Sequence, residues 1–220
     1  MILAAGYSSR MKRWKPGLVL EGVPLVVRAI LPALDAVNQL ILVGGYQFEE
    51  LKRIVMESDK ITMSQKKKIE LVENKEHSAG MFSSVQVGLS RVEVSQEGTY
   101  IVPGDMPNIS AWTYKTLAGS FASDSGSDVY IPVIEIDTEN SPEENRLKKG
   151  HPILVRRKAF SAILEESRMS ILRDVLKQFH SKTIVVPDSG ICFDIDEERD
   201  VAKLESHFST ARNPKNGPRV

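Results

Sequence analysis

The chain contains a single cysteine, Cys192, in 220 residues. One thiol closes no intramolecular disulfide and cannot supply the paired cysteines of a structural zinc site. Charge of one sign is missing too: Lys plus Arg and Asp plus Glu stand at 29 each. That balance gives no global pull toward nucleic acid or an anionic membrane, so any anion must be held by a local arrangement. Long apolar runs are also lacking, and no segment approaches the ~20 residues that span a bilayer. The leading apolar stretch, Met1 to Ala5, is too short for a signal sequence before it meets Gly6, Ser8 and Ser9. A reducing, cytoplasmic setting is the expectation.

What is there is an ordinary globular composition, 41% apolar and 26% charged, in a length that suits one large domain. β-prone runs at 1–3, 40–43, 69–72, 100–102, 129–134, 153–155 and 183–186 alternate with helical patterns at 24–38, 47–58, 83–92, 111–121, 157–166, 170–179 and 197–207. Several runs are continuously apolar, which suits strands covered on both faces. Phe48, Leu51 and Val55 recur at helical spacing and mark one apolar face. Pro32 should kink or break the first helix. The alternation predicts an α/β domain over 1–208, a three-layer Rossmann-like fold with a mostly parallel sheet and helices on both faces. Such sheets bind ligands beyond the carboxyl ends of their strands. Residues 137–150 read as a polar surface loop, and Lys66 to Lys68 as a solvated face. Residues 209–220, with Pro214, Gly217 and Pro218, read as a disordered tail.

The first strand runs into Leu3-Ala4-Ala5-Gly6-Tyr7-Ser8-Ser9-Arg10-Met11, with Lys15 following. Small residues at Ala4, Ala5 and Gly6 let a ligand approach the main chain, and successive N–H groups in such a turn can cradle an anion. Arg10 offers a fork of donors that fits phosphate oxygens, and Lys15 adds a point charge. The string is neither a P-loop nor G-x-G-x-x-G. The plainer alternative is a strand-to-loop turn with two exposed cations. Asp105 lies in Pro103-Gly104-Asp105-Met106-Pro107, just past a strand end, where a carboxylate can hold Mg²⁺ or merely serve a turn. Asp196, in Phe193-Asp194-Ile195-Asp196-Glu197-Glu198, can equally cap the helix that follows. Ser83 or Ser84 can cap the helix after Gly80 in the same way.

Read together, L-A-A-G-x-S-S-R-M with the following Lys, G-D-M-P at Asp105, and D-I-D at Asp194 to Asp196 resemble the molybdenum cofactor cytidylyltransferase-like nucleotidyltransferases. The Leu-Ala-Ala-Gly form is closer to the cytidylyl than to the guanylyl branch. Lys12 stands where the family usually has Gly, and Glu197-Glu198 where it has Thr-Pro. The family carries a few more residues before the Leu, which implies a chain start upstream of Met1. The resemblance implies that Leu3, Ala4, Ala5, Gly6, Arg10, Lys15 and Asp105 bind the nucleotide, and that Arg10, Lys15 and Asp105 serve catalysis. It implies that Asp105 and Asp196 hold Mg²⁺, with Asp194 a weaker candidate behind them. The pattern Asn…Gly-Met-x-x-Ser from Asn74 places Gly80 and Ser84 near the base or ribose. The string Gly150-His151-Pro152 places His151 at the acceptor. His77 receives no role, and His180 and His207 read as surface residues.

The implied reaction transfers CMP from CTP to molybdopterin and releases pyrophosphate. A phosphate nucleophile is already anionic near neutral pH, so positioning and charge neutralisation suffice without a strong base. The product would pass to a molybdenum hydroxylase. Two alternatives stand beside this reading. One is a different nucleotide or acceptor, such as GTP with molybdopterin or a sugar phosphate. The other is a carrier of molybdenum cofactor that catalyses nothing. The scaffold alone does not choose among them.

Overall fold

The structure is a computed structural model that describes residues 1–11, 13–136, 147–197 and 199–201; of Arg10 it describes the backbone alone. The strands are β1 (Ile2–Ala4), β2 (Val19–Leu20), β3 (Val23–Pro24), β4 (Leu40–Gly44), β5 (Ile69–Glu73), β6 (Gly98–Pro103), β7 (Val129–Glu135), β8 (Leu147–Lys149), β9 (Ile153–Arg156) and β10 (Ser181–Val185). Eight of them form one sheet in the order β10-β7-β9-β6-β1-β4-β5, with β8 paired to β7. β1 lies between β4 and β6, parallel to both. β9 runs antiparallel to β6 and β7, and β8 antiparallel to β7. The remaining strands share one direction, so the sheet is mixed and mostly parallel.

The helices are α1 (Leu25–Leu34), α2 (Phe48–Glu57), α3 (Met63–Lys66), α4 (Met81–Leu89), α5 (Ala111–Ser123), α6 (Phe160–Glu165) and α7 (Leu172–Leu176). Continuous apolar strands arise because each face of the sheet has its own core. Leu3, Ile41, Val43 and Ile101 point to one face and pack against Phe82 and Val85 of α4, Ile163 of α6 and Val175 of α7. Ile2, Ala4, Leu40 and Leu42 point to the other, against Val26 and Ile30 of α1, Leu51 and Val55 of α2, and Tyr114. Leu42 and Val43 are both fully enclosed although they are neighbours on the chain. Each such side chain contributes about 1.5–3 kcal/mol by leaving water. Among the described residues no helix is long and apolar enough to cross a membrane.

Several expectations are corrected. α1 continues through Pro32 to Leu34, so the proline does not break it. Pro32 sits within three residues of the helix end, and buried Ala33 and Leu34 hold that last turn in the core. Lys68 is no merely solvated cation: its ammonium donates to the carbonyls of Leu34 and Val37 where α1 ends. Part of the 137–150 segment is strand β8; residues 137–146 lie outside the described residues. So do Lys12, Glu198 and everything after Val201, including most of the 197–207 helical pattern and the 209–220 tail.

Candidate active site

Strand pairing delivers the site residues to one rim. Gly104 extends the β1–β6 pairing by donating its N–H to Leu3 O at 2.8 Å. A Cβ at Gly104 would stand 2.9 Å from that same carbonyl, so only glycine lets the two chains run this close. Asp105 therefore emerges beside the turn that follows β1. The two-residue hairpin between β2 and β3 turns at Glu21 and Gly22, both at positive φ, which is the turn that matches strand twist. Its Leu20 packs with Met11, Leu18, Leu25 and Ile195 in a small core of its own. With Ile195 anchored there, its N–H donates to Asp105 O at 3.1 Å. The next residue, Asp196, is thereby set next to Asp105.

Between the two carboxylates lies Lys15. Its ammonium donates to Asp105 Oδ2 at 3.0 Å and to Asp196 Oδ1 at 2.8 Å, across 90 and 181 residues of sequence. The Lys15 side chain is only 11% exposed, against 28% for Asp105 and 33% for Asp196. Burial pulls the Lys15 pKa down, but the Asp196 hydrogen bond and the Asp105 charge outweigh it and hold the amine above its ordinary value. The ammonium is thus fully charged at neutral pH.

The turn before Lys15 is held open. Ser8 adopts φ 57°, a left-handed conformation that a non-glycine residue keeps only under constraint. The constraint is local: Ser8 O accepts the Met11 N–H at 3.1 Å, and Ser8 Oγ accepts the Lys15 N–H at 3.0 Å. Among the described residues the N–H groups of Gly6, Tyr7 and Ser8 donate no main-chain hydrogen bond outside regular elements. A Cβ at Gly6 would meet nothing within 4 Å, so the turn borders open space. Arg10 lies in the short 3-10 turn Ser9–Met11, and its side chain is outside the described residues.

Two cavities flank this cluster and share Lys15, Asp105, Gly6, Tyr7 and Gly80 on their walls. The smaller, about 340 Å³, adds Leu3, Ala4, Ala5, His77 and Ser84. The larger, about 810 Å³, adds Asp196, Asp194, His151, Cys192 and the β8 lysines Lys148 and Lys149. They form one groove along the carboxyl rim of β1 and β6 with the Lys15–Asp105 contact at its junction. Gly80, at φ 107°, turns the chain into α4 on the wall of the smaller cavity. Asn74 is buried behind it and donates to both Ser83 Oγ and Ser84 Oγ at 2.9 Å. Ser83 gives its proton to Gly80 O at 2.7 Å, whereas the Ser84 hydroxyl donates to no described residue. Sequence reading quoted Asn74 but gave it no place in the site, because its burial against Ser83 and Ser84, nine and ten residues on, is a contact made only by the fold. It gave His77 no role and quoted Tyr7 without one, and both lie on the smaller cavity's wall.

In the larger cavity, burial lowers the His151 pKa to about 4, with the Asp194 charge opposing part of that fall. His151 is therefore neutral at pH 7 and offers a hydrogen bond rather than a charge. The folded value lies below the ordinary 6.5, so this group's contribution to stability is complete above 6.5 and is lost as pH falls toward 4. Urea titrations from pH 7 to 4.5 should show His151→Gln losing less stability than the native chain, by up to ~3 kcal/mol. Equal losses would show that His151 charges freely. Burial also raises the Cys192 thiol pKa, which keeps it protonated at neutral pH and unsuited to nucleophilic attack.

A groove at the carboxyl rim of a mostly parallel, doubly covered sheet is the setting in which α/β enzymes handle phosphorylated ligands. Comparison with known proteins makes the class specific. The sequence profile of the MobA-like NTP transferase domain matches residues 1–183, and the chain belongs to that family of nucleotidyltransferases. It is 24% identical over 211 residues to the molybdenum cofactor cytidylyltransferase of Escherichia coli (strain K12), with 95% of this chain and 96% of that one aligned. Solved structures share the fold at lower identity. A 4-diphosphocytidyl-2C-methyl-D-erythritol synthase from Anaerococcus prevotii superposes with a TM-score of 0.74 at 13% identity, covering 94% of each chain. A Mycobacterium tuberculosis protein solved in complex with manganese gives 0.65 at 20% identity, covering 93% of this chain and 96% of that one.

Proposed function

We propose that this nucleotidyltransferase moves CMP from CTP to a molybdopterin-type phosphate acceptor with Mg²⁺ as cofactor. The observation that carries this reading is the position of Lys15, held by Asp105 and Asp196 at the junction of two cavities. A nucleoside fits the smaller cavity, between the β1 turn and Gly80–Ser84. An acceptor fits the larger one, where Lys148 and Lys149 offer positive charge to a phosphate. The α-phosphorus then lies at the junction. An acceptor phosphate oxygen forms the new bond to it, the bond to the β-phosphate oxygen breaks, and pyrophosphate leaves with that electron pair. Lys15, Arg10 and the N–H groups of Gly6, Tyr7 and Ser8 in the β1 turn neutralise the phosphates. His151 stays neutral and orients the acceptor.

Among the described residues no group of three or more His, Cys, Asp or Glu side chains gathers to hold a metal unaided. Two converging carboxylates still suit Mg²⁺, which takes few protein carboxylates and completes its shell with phosphate oxygens and water. When bound, the ion supplies charge neutralisation between two polyanions. The manganese complex of the mycobacterial fold relative supports a divalent ion. The Leu-Ala-Ala-Gly turn and the cytidylyltransferase likeness support CTP. A lone thiol and nucleotide substrates suit a cytoplasmic setting, with a molybdenum hydroxylase as the product's consumer.

Incubation with CTP, GTP, ATP or UTP, each with molybdopterin or a sugar phosphate, tests this reading by pyrophosphate release. Release with CTP and molybdopterin at least ~10-fold above every other pair is the expected result. Preference for GTP or a sugar phosphate would reassign the substrates, and binding without release would return the carrier reading.

A further inference from the structure

Two rings on the wall of the smaller cavity, Tyr7 and His77, are left unused by the chemistry above, and a third, Tyr46, packs against Tyr7. Tyr7 follows Gly6 in the β1 turn, Tyr46 lies just beyond β4, and His77 opens the 3-10 turn that leads to Gly80. The Tyr7 ring centroid lies 5.1 Å from Tyr46 and 4.8 Å from His77. The rings are tilted by 46° and 60°, so their faces are not closed against one another. Tyr7 remains 51% exposed, and Met81 beside it 64%. This is a concentration of apolar surface left in water at the edge of a cavity.

The backbone holds the cluster in place. Tyr46 N–H donates to Ala5 O at 3.2 Å, tying Tyr46 to the β1 turn. A Cβ at Gly45 would stand 2.6 Å from the His77 Cβ, so glycine there makes room for the imidazole. Neither ring nitrogen of His77 has a hydrogen-bond partner among the described residues, and Nδ1 is enclosed. Leaving a nitrogen unsatisfied is costly and calls for a reason. Tyr7 and His77 line the smaller cavity, and His77 is absent from the larger. Tyr7 stands where the two cavities meet, and His77 beyond it marks the end away from the acceptor, on the side open to the base of a triphosphate anchored at Lys15.

We propose, on the basis of the nucleotidyltransferase reading, that Tyr7 and His77 form the platform on which the base of the nucleoside triphosphate stacks. Every base offers a π-face to such rings. The edge of His77 adds a polar contact that differs from base to base, making it a specificity-determining residue.

Titration calorimetry with Mg²⁺ and CTP, GTP or inorganic tripolyphosphate tests the platform. Tyr7→Ala and His77→Ala should each weaken the preferred nucleotide at least ~10-fold, and leave tripolyphosphate within ~2-fold. Tyr7→Phe should restore native affinity, and His77→Phe should keep affinity while flattening the CTP-to-GTP ratio. Unchanged nucleotide affinity in both alanine variants would overturn the proposal. So would an equal loss for tripolyphosphate, since Tyr7 would then serve the phosphate turn. A native ratio in His77→Phe would remove His77 from base selection. A native chain that binds tripolyphosphate and no nucleotide would overturn the nucleotidyltransferase reading itself, a result distinct from the others.

Discussion

Asp105→Ala should lower pyrophosphate release at least ~10²-fold at saturating nucleotide and Mg²⁺, the scale of losing one preorganised electrostatic group. That is a rise of at least ~2.7 kcal/mol in the barrier. The loss should fall on turnover rather than on stability. The Asp105 side chain is partly exposed, and the backbone link that places Asp196 uses the Asp105 carbonyl, which alanine keeps. Asp105→Asn sharpens the test, because it keeps size and hydrogen-bonding capacity while removing the charge that a divalent ion requires. Asparagine should be nearly as inactive as alanine, with melting temperatures for both within a few degrees of the native chain. Near-normal product formation in either variant would remove Asp105 from the mechanism, and the proposed metal site with it.

Much of the scaffold was legible because it follows from local rules. The apolar runs at 40–43 and 129–134 became strands covered on both faces: Ile41 and Val43 serve one core and Leu40 and Leu42 the other, while Val129 joins the first core and Tyr130 a smaller cluster with Leu117 and Leu154. The missed elements were short and carried faint signals. The β2–β3 hairpin is announced only by Glu21-Gly22, and α3 only by a capping box in which Thr62 and Gln65 exchange hydrogen bonds. β8 hid in a polar stretch because all three of its residues are exposed, and an exposed edge strand shows no apolar pattern. In the candidate site, strand-end logic pointed to Asp105, but no spacing rule links it to Asp196. Their meeting depends on Ile195 entering the core beneath the hairpin, a contact that composition and periodicity do not contain. The His77 ring against Tyr7 is likewise a product of tertiary structure, and the strained φ of Ser8 rests on hydrogen bonds inside its own loop that no residue pattern announces.

Lys15→Met should show two effects of opposite sign. Turnover should fall at least ~10²-fold, because the charge that follows the phosphates is gone. Divalent-ion affinity in the nucleotide-free protein should rise at least ~10-fold. In the native chain the ammonium already satisfies both carboxylates at 3.0 and 2.8 Å, so an incoming ion must displace it or share its oxygens against like-charge repulsion. A triphosphate gives Lys15 other oxygens to bind, so that its ammonium no longer competes for Asp105 and Asp196 when the nucleotide brings its own ion. Native protein should therefore bind Mn²⁺ weakly alone and tightly with nucleotide, as read from the paramagnetic resonance signal of free Mn²⁺. The methionine variant leaves two partly buried carboxylates facing each other without their shared cation, a destabilising arrangement. Its melting temperature should drop, and millimolar Mn²⁺ should recover most of the drop by binding only the folded state. Unchanged nucleotide-free Mn²⁺ affinity would mean that the two aspartates do not collect the ion. Lys15 would then be a structural clamp between chain segments, and the same variant would melt early with or without metal.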